Sequence, residues 1–181
     1  MRPLLSGILC CVIFTSGSFA QQQPVMDITT MRIGPFKMTM LKSEAQAFTK
    51  ISLKKAVDVK GWPVPNVIKY NEELVEVTID NYFGNGNTSK DAITELRTTS
   101  TKFRTKSGMG VGSTRYELLN VYRDYSNFEI MQDWDEVANK PSTNKSHFIL
   151  KDEGVSFSTK LSFQLVDNIV TEVSIYLDYG D

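Results

Sequence analysis

Cysteine is almost absent from this 181-residue chain. Both cysteines, Cys10 and Cys11, stand near the start, so the long remainder has no thiol to form a disulfide, attack a substrate or hold a soft metal. Histidine occurs once, at His147. One imidazole cannot make a metal-binding histidine cluster, and no catalytic triad or cysteine–histidine pair is expected within one chain. An excess of charge is also lacking: the formal net charge is −1 at pH 7, with both signs mixed along the chain. There is thus no electrostatic reason to expect nucleic acid or an anionic membrane surface as partner. The one apolar run of note, residues 4–14, is far shorter than the roughly 20 residues of a membrane-spanning helix.

That run has another use. Met1-Arg2-Pro3 supplies a positive start, residues 4–14 a hydrophobic centre, and the stretch to Ala20 a small-residue cleavage site, the three parts of a secretory signal. Cleavage is expected between Ala20 and Gln21, which would remove both cysteines. A lipoprotein signal is disfavoured because Leu9 and Cys10 stand where a small residue should precede the acylated cysteine. The protein is therefore expected to be periplasmic or secreted, with no transmembrane segment after signal removal. A flexible polar leader is expected over residues 21–28.

Beyond the leader, one unit is written twice. Ile33-Gly34-Pro35-Phe36-Lys37-Met38 and Ser107-Gly108-Met109-Gly110-Val111-Gly112 are each a glycine-marked turn before a helix start. In the second copy, Thr114 followed by Glu117 forms a capping box. Leu118, Val121, Tyr122 and Tyr125 continue at helical spacing. In the first, Leu41 takes the place of Thr114, so the cap is lost or moves to Ser43 with Gln46, and Ala45, Phe48 and Ile51 supply the apolar face. Strand-like alternation follows in both: Val75, Val77 and Ile79 in the first, and Val155 and Phe157, Leu161, Phe163 and Leu165, then Val173, Ile175 and Leu177 in the second. Asn71-Glu72-Glu73 and Asp152-Glu153-Gly154 mark turns at matching places, as do residues 84–87 and Asp167-Asn168. Ile93-Thr94-Glu95-Leu96 matches Val170-Thr171-Glu172-Val173. The expected fold is α+β: two tandem copies of a helix followed by an antiparallel β-meander, over residues 29–100 and 101–181, with sheets able to join into one concave surface. Between helix and meander each copy carries its own insertion, residues 61–65 with Trp62 and residues 128–146 with Trp134.

Few residues suggest chemistry. The Gly108-Met109-Gly110-Val111-Gly112-Ser113 turn resembles a phosphate cradle, but it lacks both the third glycine of a dinucleotide fingerprint and the Gly-Lys-Ser/Thr of a P-loop. A plain turn into a capped helix explains it. Asp133, Asp135 and Glu136, and Asp152 with Glu153, could serve as acid and base or hold calcium, although solvated surface is the simpler reading. Trp62 and Trp134, on loops, have the character of partner-contact anchors. Phe157, Phe163 and Tyr176 are the candidates to line a small-ligand groove between the units. No cofactor or metal is expected.

The two helix starts, each leading into a small meander, resemble the repeated unit of the β-lactamase inhibitory protein fold and of the small outer-membrane-assembly lipoproteins of the SmpA/OmlA kind. The resemblance implies a non-enzymatic bacterial envelope protein that presents a sheet surface and loops to a protein partner. The cysteines of the inhibitory proteins and the acylated cysteine of the lipoproteins have no counterpart here, so no binding residues carry over. A small-ligand-binding protein is the alternative, and a carboxylate-based hydrolase the distant one.

Overall fold

The computed structural model describes residues 25–84, 88–153 and 157–178. The expected signal peptide and residues 21–24 of the expected leader lie outside them, as do Asn85, Gly86, Asn87, Gly154 and Val155. The described chain runs β1 (Asp27–Thr29), β2 (Arg32–Ile33), β3 (Phe36–Lys37), α1 (Lys42–Ala45), β4 (Asn66–Tyr70), β5 (Glu73–Tyr82), β6 (Lys90–Thr98), β7 (Arg104–Thr105), α2 (Arg115–Tyr122), β8 (Phe128–Asp135), β9 (Lys140–Glu153), β10 (Ser158–Val166) and β11 (Ile169–Asp178). A single 3-10 turn, Gln46–Phe48, extends α1. The protein is mostly β with two short helices. A mixed four-stranded sheet has the order β3-β2-β1-β7, and an antiparallel seven-stranded sheet, open at both edges, has the order β4-β5-β6-β11-β10-β9-β8. Among the described residues no helix is long and apolar enough to cross a membrane.

Alternation along the strands sends one set of side chains to a single core. Val75, Val77, Ile93, Leu96, Phe148, Leu161, Phe163, Val173 and Ile175 are buried there with Ile28, Ile33 and Phe36 of the small sheet. Leu118 of α2 and Ala45 of α1 enter the same core, so helices and small sheet cover one face of the large sheet. Tyr122 adds its ring against Phe148 and Phe163, with centroids 6.0 and 6.1 Å away.

Local geometry repeats between the halves. Ahead of α1, Thr39 has φ 61°, its N–H donates to the Ile93 carbonyl, and Met40 accepts from Ile93 N–H. Ahead of α2, Gly112 has φ 90°, its N–H donates to the Val170 carbonyl, and Ser113 accepts from Val170 N–H. Leu41 bridges Ala92 as Thr114 bridges Ile169. The β5–β6 ladder skips Thr94 and the β10–β11 ladder skips Thr171. In both tight hairpins, Asn71-Glu72 and Asp167-Asn168, the two central residues have positive φ, which matches the twist of the flanking strands.

Several expectations need correction. Asp27 and Ile28, placed in the expected leader, belong to β1, and Ile28 is buried. The first helix does not start at a Ser43 cap. Leu41 is its N-cap and has no side-chain acceptor, so only half a capping box forms, with Glu44 Oε2 accepting from Leu41 N–H at 3.1 Å. Thr114 and Glu117 form the full reciprocal pair, Thr114 Oγ1 accepting from Glu117 N–H at 3.2 Å and Glu117 Oε2 from Thr114 N–H at 2.7 Å. This helix is the shorter of the two, and Phe48 and Ile51 are exposed rather than buried. Residues 128–146 are not one loop: they form β8, a turn over residues 136–139 and the first half of β9, so Trp134 lies on a strand. Asp152 and Glu153 end β9 rather than forming a turn.

The glycine-rich turn is explained by packing. A Cβ on Gly110 would come within 2.6 Å of the Phe103 carbonyl oxygen, and Gly108 and Gly112 have positive φ. Glu72 lacks that freedom at φ 67°, where an L-residue costs roughly 1–2 kcal/mol. Glu72→Gly is expected to raise stability in urea unfolding by about 0.5–1 kcal/mol, after the glycine's greater chain entropy is deducted.

Candidate functional site

The other face of the large sheet has no helix or sheet over it among the described residues. Here the alternation brings Glu76 of β5, Glu95 and Arg97 of β6, Glu172 and Tyr176 of β11, Lys160 and Ser162 of β10, His147 and Ile149 of β9, and Glu129 of β8 together. Cross-strand register puts Arg97 opposite both Glu76 and Ser174. Its guanidinium reaches Glu95 at 2.7 Å and Glu172 at 3.4 Å. Lys160 meets Asp178 at 3.0 Å, and Lys151 meets Glu129 at 2.9 Å. Such partly buried pairs hold long side chains in place more than they add net stability.

A second chain of contacts crosses β8, β9 and β10. His147 Nε2 lies 2.7 Å from Asp133 Oδ1, and its Nδ1 lies 2.9 Å from Ser162 Oγ. Three adjacent strands, β8, β9 and β10, thus bring a serine, a histidine and an aspartate into contact, which spacing along the chain did not show. Ser162 is 2 % exposed, however, and sits within the β10 ladder opposite Ile149 and Ser174. A buried hydroxyl on a regular strand offers a substrate no access, whereas nucleophilic serines stand exposed beside free N–H donors. The contact ties three strands together.

Burial pushes the Glu172 carboxyl above the ordinary glutamate value, against the lowering effect of Arg97, with Glu76 and Glu95 adding to the rise. Arg97 is raised: burial opposes its charge, but the hydrogen bond and charge of Glu95 and the charge of Glu172 outweigh it. Lys160 is raised through its hydrogen bond to Asp178. Burial raises the Tyr176 hydroxyl.

The sequence-derived candidates are scattered. Trp62 is 68 % exposed at the tip of a small loop where Asp58 Oδ1 accepts from Trp62 N–H at 2.9 Å, beside edge strand β4. Trp134, 58 % exposed, is on the opposite edge strand, β8, across from Pro141. They flank the sheet rather than form one patch. The groove residues do not meet either. Phe163 is fully buried in the core, Tyr176 is on the open face, and Phe157 packs edge-on against Tyr82. The acids near Trp134 diverge: Asp133 turns to His147, and Asp135 accepts from the N–H groups of Val137 and Ala138. Asp152 accepts from Thr30. Among the described residues no group of three potential ligands could hold a metal ion.

Arg97, Glu95 and Glu172 are the residues that motif reading missed. Their one signal was the shared Thr-Glu of the two matching strands, which alternation alone does not mark as a contact. No protein-family model, curated protein or solved structure matches the chain.

Glu172 yields a pH test. A carboxyl whose value is raised on folding contributes stability below its unfolded value, near 4.5, and loses it as pH rises through the folded value. In Glu172→Gln, stability relative to wild type should therefore rise with pH just above 4.5 and level off by neutrality. Urea midpoints across pH 4–8 check this, and an unchanging difference would contradict it.

Proposed function

We propose that the chain is a non-enzymatic exported protein, built of two tandem copies of one helix-plus-meander unit, that binds a protein partner in the periplasm or outside the cell. The repeated helix-entry hydrogen bonds, the repeated ladder skips at Thr94 and Thr171, and the matched tight hairpins support the duplication. The resemblance to the inhibitory-protein and assembly-lipoprotein unit points the same way.

One observation carries the binding reading: a seven-stranded sheet that keeps one face uncovered among the described residues yet sets most of its charged side chains there in ion pairs. Antiparallel sheets tolerate a solvated face, but a face of ordered pairs has fewer rotamers to freeze when a partner docks. Glu76, Glu95, Glu172, Glu129, Asp133 and Asp178 outnumber Arg97, Lys151 and Lys160 there, so a partner with a basic surface fits best. Exposed Trp62 and Trp134 stand at the two edges, where large rings anchor contacts.

Capture from a cell-envelope extract at low salt tests this. Trp62→Ala and Trp134→Ala should each lower recovery of the same partner about tenfold or more. Glu76→Lys, which reverses a charge on the open face, should slow association and weaken its salt dependence. Equal recovery by all three variants and wild type would refute the sheet-face reading.

A further inference from the structure

Away from the open face, a cavity of about 390 Å³ lies where the first turn of α2 meets the β8–β9 extension and the β10–β11 turn. Its size suits a small molecule. The lining is polar. Arg115 supplies positive charge, Gln132, Asn144 and Asn168 supply amides, Lys145 lines the rim, and Asp167 is the one acid. Ser146, 9 % exposed, is the most enclosed of these groups. Neither Arg115 nor Lys145 lies within ion-pair distance of a carboxylate among the described residues.

The first half has a cavity at the matching place, lined by Leu41, Lys42 and Asp91 among others, but there the charge is closed internally. The bridges Leu41–Ala92 and Thr114–Ile169 place Lys42 and Arg115 at the same first helical position, and Asp91 and Asn168 at the same strand entry. In the first half the cation meets its own carboxylate, Lys42 Nζ to Asp91 Oδ2 at 3.6 Å. In the second half the carboxylate is an amide. Arg115 donates its backbone N–H to the Asn168 carbonyl at 2.8 Å, but its guanidinium meets no carboxylate within ion-pair distance among the described residues. The β8–β9 extension then brings Lys145 to the rim, at a β9 position that alternates with Ser146 and so shares the face of His147. That extension bulges here: Gln132 pairs with Ser146 but Trp134 with Pro141, and Ser142 Oγ accepts from the N–H groups of Asn144 and Lys145 to hold the bulge.

The geometry points to a binding site for a small oxyanion, a carboxylate or phosphate group, held by the Arg115 guanidinium in the place that Asp91 fills in the first half. The planar guanidinium suits two oxygens of one anion. The flanking amides of Asn144, Asn168 and Gln132 offer N–H donors, and Asp167 limits affinity by repulsion. This site is independent of the partner-binding face.

The test uses the whole protein at low ionic strength, titrated with inorganic phosphate in one arm and succinate in the other and followed by backbone amide shifts. Saturable shifts centred on residues 115, 144–146 and 168 are expected with at least one probe; the better probe identifies the anion class. Arg115→Gln should weaken binding roughly ten- to a hundredfold, the range for a charge-assisted contact. Asn168→Asp rebuilds the internal pair of the first half and should weaken binding similarly, while Asp167→Asn should tighten it. Both tolerate the positive φ at those positions. Unchanged spectra outside the site show that each variant is folded. Absence of saturable shifts with either probe, or equal affinity in Arg115→Gln and wild type, would overturn the site.

Discussion

The large sheet depends on one seam. β6 and β11, the last strands of the two halves, pair over Thr98–Val173, Arg97–Ser174, Leu96–Ile175 and Glu95–Tyr176. Matching Ile93 to Val170 also matches Leu96 to Val173 and Thr98 to Ile175, so the seam reads the same from either half, with Arg97 and Ser174 at its centre. Leu96, Val173 and Ile175 bury their side chains on the core side, and Thr98 Oγ donates to the Leu74 carbonyl. On the other side Arg97 draws in Glu95 and Glu172, the matching glutamates of the two halves. Hydrophobic burial drives the pairing; the arginine prevents two nearby carboxylates from opposing it.

From that seam outward the halves follow similar rules and end differently. β4 is a short edge strand that follows Pro63 and Pro65 and bears Lys69. Asn66 further ties the preceding segment down by accepting from Lys54 N–H and donating to the Lys54 carbonyl. Prolines, lysine and a covering segment are the usual ways to blunt an edge. β8 has neither proline nor lysine and is longer, and the β9 segment paired with it is bulged. The second half thus gains an extra strand, and its β8–β9 hairpin supplies part of the polar cavity lining.

The helices show how little a helix start alone decides. Both begin at equivalent places, and both have a glutamate reaching back to the N-cap N–H. Only Thr114 completes the exchange, and only α2 continues to Tyr122, where the ring settles between Phe148 and Phe163. Capping begins the helix, while tertiary packing sets its length.

By itself the sequence determined the local rules: alternation marked β5, β10 and β11, the Thr114–Glu117 spacing marked the start of α2, and Asn71-Glu72 and Asp167-Asn168 marked tight turns. These rest on contacts between near neighbours, whose spacing is visible in one dimension. Tertiary structure alone decided which strands meet, and so it decided function-bearing geometry. Residues 128–146 carry mixed polar and apolar side chains without clean alternation, because beyond Phe128 and Ile130, which reach the core, most of the hairpin meets water on both faces, and they read as a loop until β9 pairs with β10. Phe163 looks like a groove residue until the core closes over it. His147, Asp133 and Ser162, and likewise Arg97 and Glu172, become partners only through strand register, a relation between distant segments that spacing along the chain does not record.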